Sequence, residues 1–246
     1  MQAMILAAGL GTRLRPITDT LPKALLPVKQ KDGGEKPALE GLLDKMIEEG
    51  FSCIIINLHH LGGQIRTFVS HYLEKKNLPV KICLSDESKQ LLGTGGAIKH
   101  ACPYLDSKKP LLVHNADILS DLHLRSFMEK HQLGDTATLL VSKRDSPRQL
   151  LFTKQRELVG WINKETEQLR LVKSKINLED CIERAFSGIY ILGPQATKLM
   201  ENQPHVFSII DFFLEQASTQ AIIGVEMPDV QVVDIGKPET MRNTLL

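Results

Sequence analysis

Residues 3–27 read AMILAAGLGTRLRPITDTLPKALLP. The apolar run Ala3–Ala7 predicts a buried β-strand, and Gly9 and Gly11 follow at its carboxyl end. Glycine lets backbone N–H groups approach a ligand closely, so a loop of this kind can cradle phosphate oxygens. The segment therefore predicts a strand that opens onto a phosphate-binding loop.

Two common phosphate-binding motifs do not fit this loop. The dinucleotide fingerprint G-x-G-x-x-G/A ends in glycine or alanine, whereas the corresponding residue here is Leu14. In addition, Pro16 and Pro22 prevent a regular helix from running through the segment. The P-loop pattern G-x-x-x-x-G-K-S/T does not occur in the sequence. What remains is a proline-stiffened, non-helical loop that carries Arg13 and Lys23, two cations suited to a nucleoside triphosphate. The alternative is a glycine turn with solvated basic side chains.

Apolar runs alternate with amphipathic stretches over the first 142 residues, which predicts a mostly parallel sheet covered by helices on both faces. The further strands predicted there are Cys53–Leu58, Val80–Leu84, Pro110–His114 and Ala137–Ser142, and the helices are Ala38–Glu49, Ile65–Lys76, Ala97–Cys102 and Leu122–His131. Beyond Lys143 the sequence predicts a hairpin with polar faces (150–153 with 157–162), a long strand (183–192), a helix (207–217), two short strands (221–225 and 230–235) and a terminal helix from Pro238.

The charges of the chain nearly cancel, since 30 lysines and arginines stand against 29 aspartates and glutamates for a formal net charge of +1. This balance argues against a protein that coats nucleic acid and against a disordered acidic chain. The charge is nevertheless uneven. Residues 1–29 carry four basic side chains and one acidic one, and residues 143–175 carry nine basic and four acidic ones. The second excess fits either an exposed basic hairpin or a site for an anionic substrate.

The four cysteines (Cys53, Cys83, Cys102 and Cys181) form no C-x-x-C pair and no paired Cys/His spacing. A zinc knuckle or a redox dithiol is therefore not expected, and reduced, mostly buried thiols are the simplest interpretation. The apolar start of the chain is about six residues long, too short for a signal region or a membrane span. We expect a cytoplasmic protein without membrane association, as a monomer or small homo-oligomer.

Two aspartates follow apolar strands, where open α/β sheets bind their ligands. Asp117 comes shortly after the strand that ends at His114, and Asp234 ends another apolar strand. An aspartate after a strand is more often a helix cap than a metal ligand, but two carboxylates are enough for Mg²⁺, which usually keeps several waters. The glycines of Leu92–Ala97 (LGTGGA) precede a predicted helix, where they either bind a ligand or begin the helix.

The segment Leu6–Val28, LAAGLGTRLRPITDTLPKALLPV, resembles the signature of the sugar-1-phosphate nucleotidyltransferases, or nucleotide-sugar pyrophosphorylases. The resemblance covers nearly the whole chain, through LGTGGAI (92–98), LLVHNADIL (111–119), FSGIYIL (186–192) and VVDIGKPE (232–239). It implies a doubly wound, Rossmann-like α/β fold with a small β-hairpin region on the acceptor side. It also implies that a nucleoside triphosphate and a sugar 1-phosphate react, with Mg²⁺, to give a nucleotide sugar and pyrophosphate.

The resemblance also assigns roles to residues of this chain. It implies that Arg13, Lys23 and Asp117 are catalytic and that Asp117 and Asp234 hold Mg²⁺. The residues implied to bind nucleotide are Ala8, Gly9, Gly11, Thr12, Arg13, Lys23, Glu87, Gly93 and Thr94, and those implied to bind the sugar are Asn115, Gly160, Lys164, Ser187 and Gly188. The family often has Glu-Lys-Pro where this chain has Asn163-Lys164-Glu165-Thr166, so a solvated hairpin is the alternative there.

Within the family, the short length and the segments AMILAAG, TGG, FSGI and VDIG most resemble the N-acetylmuramate 1-phosphate uridylyltransferases of cell-wall recycling, with mannose- and heptose-1-phosphate guanylyltransferases close behind. A catalytically silent, nucleotide-binding regulatory subunit is the alternative from another class. Such relatives are expected to have lost the Arg, Lys or Asp positions that this chain keeps. We expect one domain over residues 1–246, in which 1–142 bind nucleotide and 143–246 bind the sugar phosphate.

Overall fold

A ten-stranded mixed sheet forms the centre of the computed structural model, which describes residues 1–29, 33–76, 79–172, 176–236 and 240. The strands of this sheet and of two small two-stranded sheets are β1 (Gln2–Leu6), β2 (Pro27–Lys29), β3 (Glu35–Pro37), β4 (Cys53–Leu58), β5 (Lys81–Asp86), β6 (Leu111–Asn115), β7 (Ile118–Ser120), β8 (Ala137–Ser142), β9 (Arg148–Phe152), β10 (Leu158–Asn163), β11 (Gln168–Leu171), β12 (Ile182–Leu192), β13 (Ile222–Val225) and β14 (Val232–Asp234).

Helices cover both faces of the main sheet. They are α1 (Ile17–Thr20), α2 (Ala38–Glu48), α3 (Gly62–Lys76), α4 (Gly93–Ala101), α5 (Leu124–Met128), α6 (Pro194–Met200) and α7 (Ile209–Gln216). Apolar residues of α2, α3 and α5 form one core with one face of the strands, and those of α4, α6 and α7 form a second core with the other face. Among the helices of the described residues, none is long and apolar enough to cross a membrane.

The parallel strands bring their carboxyl ends to one edge of the sheet. β1 lies between β4 and β6 and pairs in parallel with both, and β5 pairs in parallel with β4. Leu6, the last residue of β1, is opposite Asn115, the last residue of β6. The loop after Leu6 and the loop after Asn115 therefore leave the sheet side by side. This arrangement confirms the predicted α/β fold with a mostly parallel central sheet.

The long strand β12 joins a smaller antiparallel region to this centre. Its carboxyl-terminal half pairs with β6, and its first residues pair with β9. The sheet continues beyond β9 with β10 and then β11. The hairpin of β9 and β10 was predicted with polar faces, and that prediction is wrong. Leu150, Phe152 and Leu158 are buried, because this hairpin packs against the core that α7 also covers.

Other boundaries shift by a few residues, and some small elements escape the sequence pattern. α4 begins at Gly93 instead of Ala97, and β14 pairs with β7 outside the main sheet. Apart from Thr240, the helix predicted from Pro238 lies outside the described residues. The cysteines are free thiols, half-buried instead of mostly buried.

The loop after β1 contains three short helical turns, where a non-helical loop was predicted. They are a 3-10 turn at Thr12–Leu14, helix α1 and a 3-10 turn at Lys23–Leu25. Pro16 and Pro22 stand at the amino-terminal caps of the last two, so the prolines divide the segment and prevent one regular helix.

Candidate active site

A cavity of about 260 Å³ opens at the carboxyl edge of the parallel strands. Its walls come from the ends of β1, β4 and β6, from the start of α4 and from the turn at Lys23. The lining residues are Leu6, Ala7, Ala8, Gly9, Lys23, Ala24, Asn57, Leu91, Gly93, Thr94, Asn115, Ala116 and Asp117. Both glycine segments singled out in the sequence therefore border one cavity, together with Asp117.

Four charged side chains that are far apart in the sequence converge beside this cavity. The Lys23 ammonium forms an ion pair with Asp117 Oδ2 and lies 3.9 Å from Asp234 Oδ1. Arg13 Nη2 lies 3.8 Å from Asp234 Oδ2. The Lys23 side chain is only 12% exposed, whereas that of Arg13 is 58% exposed. The structure thus joins Arg13, Lys23, Asp117 and Asp234, all four of them predicted site residues, in one cluster.

The strand β14 carries Asp234 to this cluster by pairing with the segment after Asp117. Asp234 is opposite Ile118 in the β7–β14 pair, and the Ile235 amide donates to the Asp117 carbonyl oxygen at 2.9 Å. The next residue is a buried glycine, Gly236, whose amide donates to Asp234 Oδ1 at 2.8 Å. A Cβ atom at Gly236 would overlap the Lys23 ammonium. Gly236 was not among the predicted site residues, because its neighbour Lys23 is far away in the sequence.

The carboxylates of Asp117 and Asp234 form a donor set that suits Mg²⁺. Both face the same ammonium group, so they are arranged around a single positive charge. No group of three or more His, Cys, Asp or Glu side chains that could hold a metal occurs in the part of the chain that the structure describes. Mg²⁺ nevertheless commonly binds through one or two carboxylates together with waters and substrate phosphates, so the two aspartates fit the ion.

The first glycine loop is shaped by Thr18. Gly11 has a left-handed backbone with φ of 63°, and a Cβ atom there would lie 2.7 Å from Thr18 Cγ2. The buried Thr18 hydroxyl donates to the Gly11 carbonyl oxygen at 2.8 Å. Ala8 and Gly9 line the cavity, whereas Gly11 and Thr12 lie beyond its lining. Glycine is thus required at Gly11 by the turn that carries Arg13.

The second glycine loop packs against a segment from the other end of the chain. The amide of Gly95 donates to the Phe207 carbonyl oxygen at 3.0 Å, and Thr94 Oγ1 accepts from the Ile209 amide at 2.9 Å. A Cβ atom at Gly93 would lie 2.6 Å from the Phe207 carbonyl oxygen. These glycines therefore permit close packing, and Gly93 and Thr94 line the cavity as well.

Glu87 lies behind the cavity wall and not on it. The family resemblance implied that Glu87 binds nucleotide. Glu87 is 3% exposed, and its two carboxylate oxygens accept from Asn57 Nδ2 at 2.8 Å and from the Leu92 amide at 3.2 Å. Asn57 is a lining residue that the sequence reasoning missed. The available signal was a single polar residue inside the apolar strand CIIINL.

Three of the predicted sugar-binding residues adjoin one another. Gly188 has φ of 74°, and a Cβ atom there would lie 2.7 Å from Nδ2 of the lining residue Asn115. The neighbouring Ser187 is buried, and its hydroxyl has no hydrogen-bond partner within the described residues. We call Asn115, Ser187 and Gly188 the polar corner; Asn115 lines the cavity, and the other two lie behind its lining.

The structure does not bring Gly160 and Lys164 to this corner. A Cβ atom at Gly160 would lie 2.9 Å from the Arg170 carbonyl oxygen, so glycine is needed there for the approach of β10 and β11. The Lys164 ammonium pairs with Glu183 on β12. Neither residue lines the cavity, so their predicted sugar contact has no support in the geometry.

The basic excess of residues 143–175 is partly neutralised by acids that lie outside this segment. Three exposed ion pairs do this: Lys154 with Asp180 at 3.5 Å, Lys164 with Glu183, and Arg170 with Asp211. Surface ion pairs, and not a hairpin exposed as a whole, therefore account for part of the excess.

His114 is buried beneath the site at the end of β6. Burial, together with the charge of Lys45, lowers its pKa to about 4, although a hydrogen bond with the Asn115 carbonyl oxygen acts in the opposite direction. The ring atom Nδ1 lies 2.8 Å from that oxygen. A neutral ring donates through Nδ1 in this arrangement, so His114 supports the backbone of Asn115 from within the core.

Comparison with known proteins agrees with this geometry. Residues 2–151 match the model of the family described as nucleotidyl transferase. The chain belongs to the nucleotidyl transferase family. The match contains Arg13, Lys23 and Asp117.

Curated relatives of this family member are sugar-1-phosphate nucleotidyltransferases. Mannose-1-phosphate guanylyltransferase 1 of Arabidopsis thaliana is 29% identical over 242 residues, covering 97% of this chain and 62% of that protein. UTP–glucose-1-phosphate uridylyltransferase of Synechocystis sp. is 28% identical over 253 residues, covering 96% of this chain and 60% of that protein. The chain therefore spans about three fifths of the length of these relatives.

Solved structures share the fold along nearly the whole chain. HddC from Yersinia pseudotuberculosis, crystallised in complex with GMP-PN, has a TM-score of 0.73 and 25% identity, over 98% of this chain and 96% of that one. A putative glucose-1-phosphate thymidylyltransferase from Bacillus anthracis has a TM-score of 0.76 at 19% identity, over 98% of this chain and 92% of that one. At that identity the second likeness concerns the fold alone.

Proposed function

We propose that this protein transfers a nucleotidyl group from a nucleoside triphosphate to a sugar 1-phosphate and releases pyrophosphate. One observation carries the proposal: Arg13, Lys23, Asp117 and Asp234 meet beside a cavity that both glycine loops border. The names of the curated relatives support the same reaction class.

In the proposed reaction an oxygen of the sugar 1-phosphate attacks the α-phosphorus of the nucleotide in line with the leaving pyrophosphate. A phosphate monoester is largely ionised at neutral pH, because its second pKa is about 6, so the attacking group needs no general base. The residues therefore act by positioning the two substrates and by neutralising charge.

The cations differ in exposure, which suggests different roles. Arg13, the more exposed one, would hold the β- and γ-phosphates as they leave. Lys23, nearly buried between carboxylates, would lie between the phosphates of the two substrates. Ala8 and Gly9 would offer backbone to the nucleotide, and the polar corner of Asn115, Ser187 and Gly188 would face the sugar.

Asp117 and Asp234 would hold Mg²⁺. When bound, the ion would supply charge neutralisation across phosphate oxygens of the substrates. The two aspartates also hold the Lys23 ammonium in place, which fixes one cation against the cavity before substrate enters.

For the base and the sugar we propose two candidates. Guanylyl transfer to mannose 1-phosphate or a heptose 1-phosphate is supported by the mannose-1-phosphate guanylyltransferases among the relatives and by the GMP-PN bound to HddC. Uridylyl transfer to N-acetylmuramate 1-phosphate in cell-wall recycling is supported by the likeness of short segments such as FSGI and VDIG. The ion pairs of residues 143–175 weaken the second candidate, because they leave less free positive charge for the extra carboxylate of muramate.

The deciding experiment is a panel of pyrophosphate-release assays. It crosses UTP, GTP, CTP and dTTP with mannose, heptose, glucose and N-acetylmuramate 1-phosphates in the presence of Mg²⁺. We expect one base and one sugar to give turnover well above the others, and we expect Asp117→Asn to lower that turnover about 10²–10³-fold. An Asp117→Asn enzyme with wild-type turnover would contradict the assigned role.

The same panel tests the regulatory alternative. A protein that binds a nucleoside triphosphate in calorimetric titrations but releases no pyrophosphate with any pair would be a nucleotide-binding subunit and not an enzyme. The retention of all four charged residues argues against that outcome. We also propose a cytoplasmic location, since free thiols persist in reducing compartments.

A further inference from the structure

Asn57 and Glu87 form a buried polar pair beneath the cavity. Each is 3% exposed. Asn57 Oδ1 accepts from the Ala7 amide at 2.7 Å, and Asn57 Nδ2 donates to Glu87 Oε1 at 2.8 Å. Glu87 Oε2 accepts from the Leu92 amide at 3.2 Å. A single line of hydrogen bonds thus runs from the first glycine loop to the second.

This line begins where the main-chain ladder stops. The β1–β4 pairing ends with Ile5 opposite Ile56, and the side chain of the next residue of β4, Asn57, then takes the Ala7 amide. Glu87 follows the last residue of β5, and its own amide donates to the Leu58 carbonyl oxygen at 2.7 Å. Both side chains therefore stand on the ends of sheet strands and reach forward to the loops.

The direction of the hydrogen bonds is fixed at both ends. Ala7 and Leu92 present amide N–H groups, which only donate, so each needs an acceptor. Asn57 offers its oxygen to Ala7 and therefore its NH₂ group to Glu87, which as a carboxylate accepts twice. Glu87 has no ion pair with a described residue, and an unsatisfied buried polar group is costly.

We infer that Asn57 and Glu87 are positioning residues that set the distance between the two loops bordering the nucleotide cavity. Asn57 also lines the cavity, so the pair links the cavity floor to both rims. Neither residue transfers a proton or a phosphoryl group in this role. The inference rests on the proposed function for its kinetic consequence, and its structural consequence is measurable without any turnover.

The test reverses the central hydrogen bond. Asn57→Asp puts two carboxylates against each other, and Glu87→Gln puts an amide NH₂ group against either Asn57 Nδ2 or the Leu92 amide. The double variant N57D/E87Q restores the line, because Asp accepts from Ala7 and from the Gln NH₂ group while the Gln oxygen accepts from Leu92. Matched surface controls are Glu74→Gln and Asn202→Asp, both at exposed positions.

Two readouts separate positioning from general destabilisation. Hydrogen exchange of the amides in residues 7–11 and 91–95 should speed up in both loops of each single variant, about tenfold or more, and return toward wild type in the double variant. The KM for the nucleoside triphosphate should rise about tenfold in the single variants with recovery in the double, while the KM for the sugar phosphate stays within about threefold. The surface controls should change neither readout.

Several results would overturn the inference. Single variants with a lower melting temperature but unchanged loop exchange would show a purely structural role, and a double variant no better than the sum of the singles would show that the pair does not act as a unit. Glu87→Asp reaches one partner but not both, and it provides the same exchange test if another single variant does not fold. If the wild-type protein releases no pyrophosphate, the proposed function fails, whereas the exchange result still decides the positioning role.

Discussion

Replacing Lys23 with methionine removes one positive charge from the centre of the candidate site and little else. Methionine keeps an unbranched side chain of similar length, and the Lys23 side chain is only 12% exposed, so the packing of its stem should survive. The change leaves the carboxylates of Asp117 and Asp234 without the ammonium that they both face. The variant therefore isolates the charge of Lys23 from its volume.

The expected loss follows from the distances in the cluster. A unit charge about 4 Å from another is worth about 4 kcal/mol at an effective dielectric constant of about 20, and the Lys23 ammonium lies 3.9 Å from Asp234 and closer to Asp117. The interaction energy between the Lys23 ammonium and phosphate oxygens bound beside it would be of the same order. Only the increase of this electrostatic interaction between the ground state and the transition state affects the rate. We therefore expect kcat to fall by about 10²–10³, the usual effect of losing one charge-stabilising group.

The assay is pyrophosphate release with the best substrate pair from the panel, at saturating concentrations and below the melting temperature of the variant. Lys29→Met is the matched control, because Lys29 is exposed at the end of β2 and should keep wild-type turnover. If Lys23→Met kept kcat within about threefold of wild type, Lys23 would not stabilise the transition state and the reasoning from the cluster would be refuted.

Three further outcomes are expected. Gly236→Ala should lower kcat by about 10² by displacing the Lys23 ammonium, whereas Gly63→Ala, whose Cβ atom would meet nothing within 4 Å, should not; equal rates would contradict this. Mg²⁺ should raise the melting temperature of Lys23→Met more than that of the wild type, because it would replace the positive charge that Asp117 and Asp234 lose in this variant. Burial holds the pKa of His114 at about 4 against an ordinary 6.5, so the unfolded chain takes up a proton first as the pH falls. Stability should therefore drop between these values, by about 2 kcal/mol near pH 5, and urea titrations of His114→Leu should show a flatter pH dependence.

Long apolar runs made most of the central sheet predictable. Cys53–Leu58 and Ala137–Ser142 were predicted with the bounds that the structure shows, because a strand buried on both faces has a mostly apolar sequence without alternation. The strands β2, β3 and β7, which were not predicted, have three residues each. Segments so short carry no period, so only their partners across the fold define them.

The same limit applies to the candidate site. Arg13 and Lys23 were found because they lie in a segment with its own glycine and proline pattern. Asn57 and Gly236 were not, since what matters at each is a contact with residues 30 or more positions away. Glu87 was predicted to bind nucleotide, but its two carboxylate oxygens accept hydrogen bonds from Asn57 and from the Leu92 amide. A local pattern identifies residue types suited to chemistry and does not show which of them the fold has already engaged.

The contacts of Phe207 with the second glycine loop bear on how this protein can be divided. The family match ends at residue 151, yet the amide of Gly95 is held by the Phe207 carbonyl and Thr94 by Ile209. A fragment that stops at residue 151 would keep the signature sequence but lose the hydrogen bonds that hold its second glycine loop. Gene fusions, split-protein reporters and domain swaps built on this chain should therefore keep the segment with Phe207 and Ile209 together with the second glycine loop.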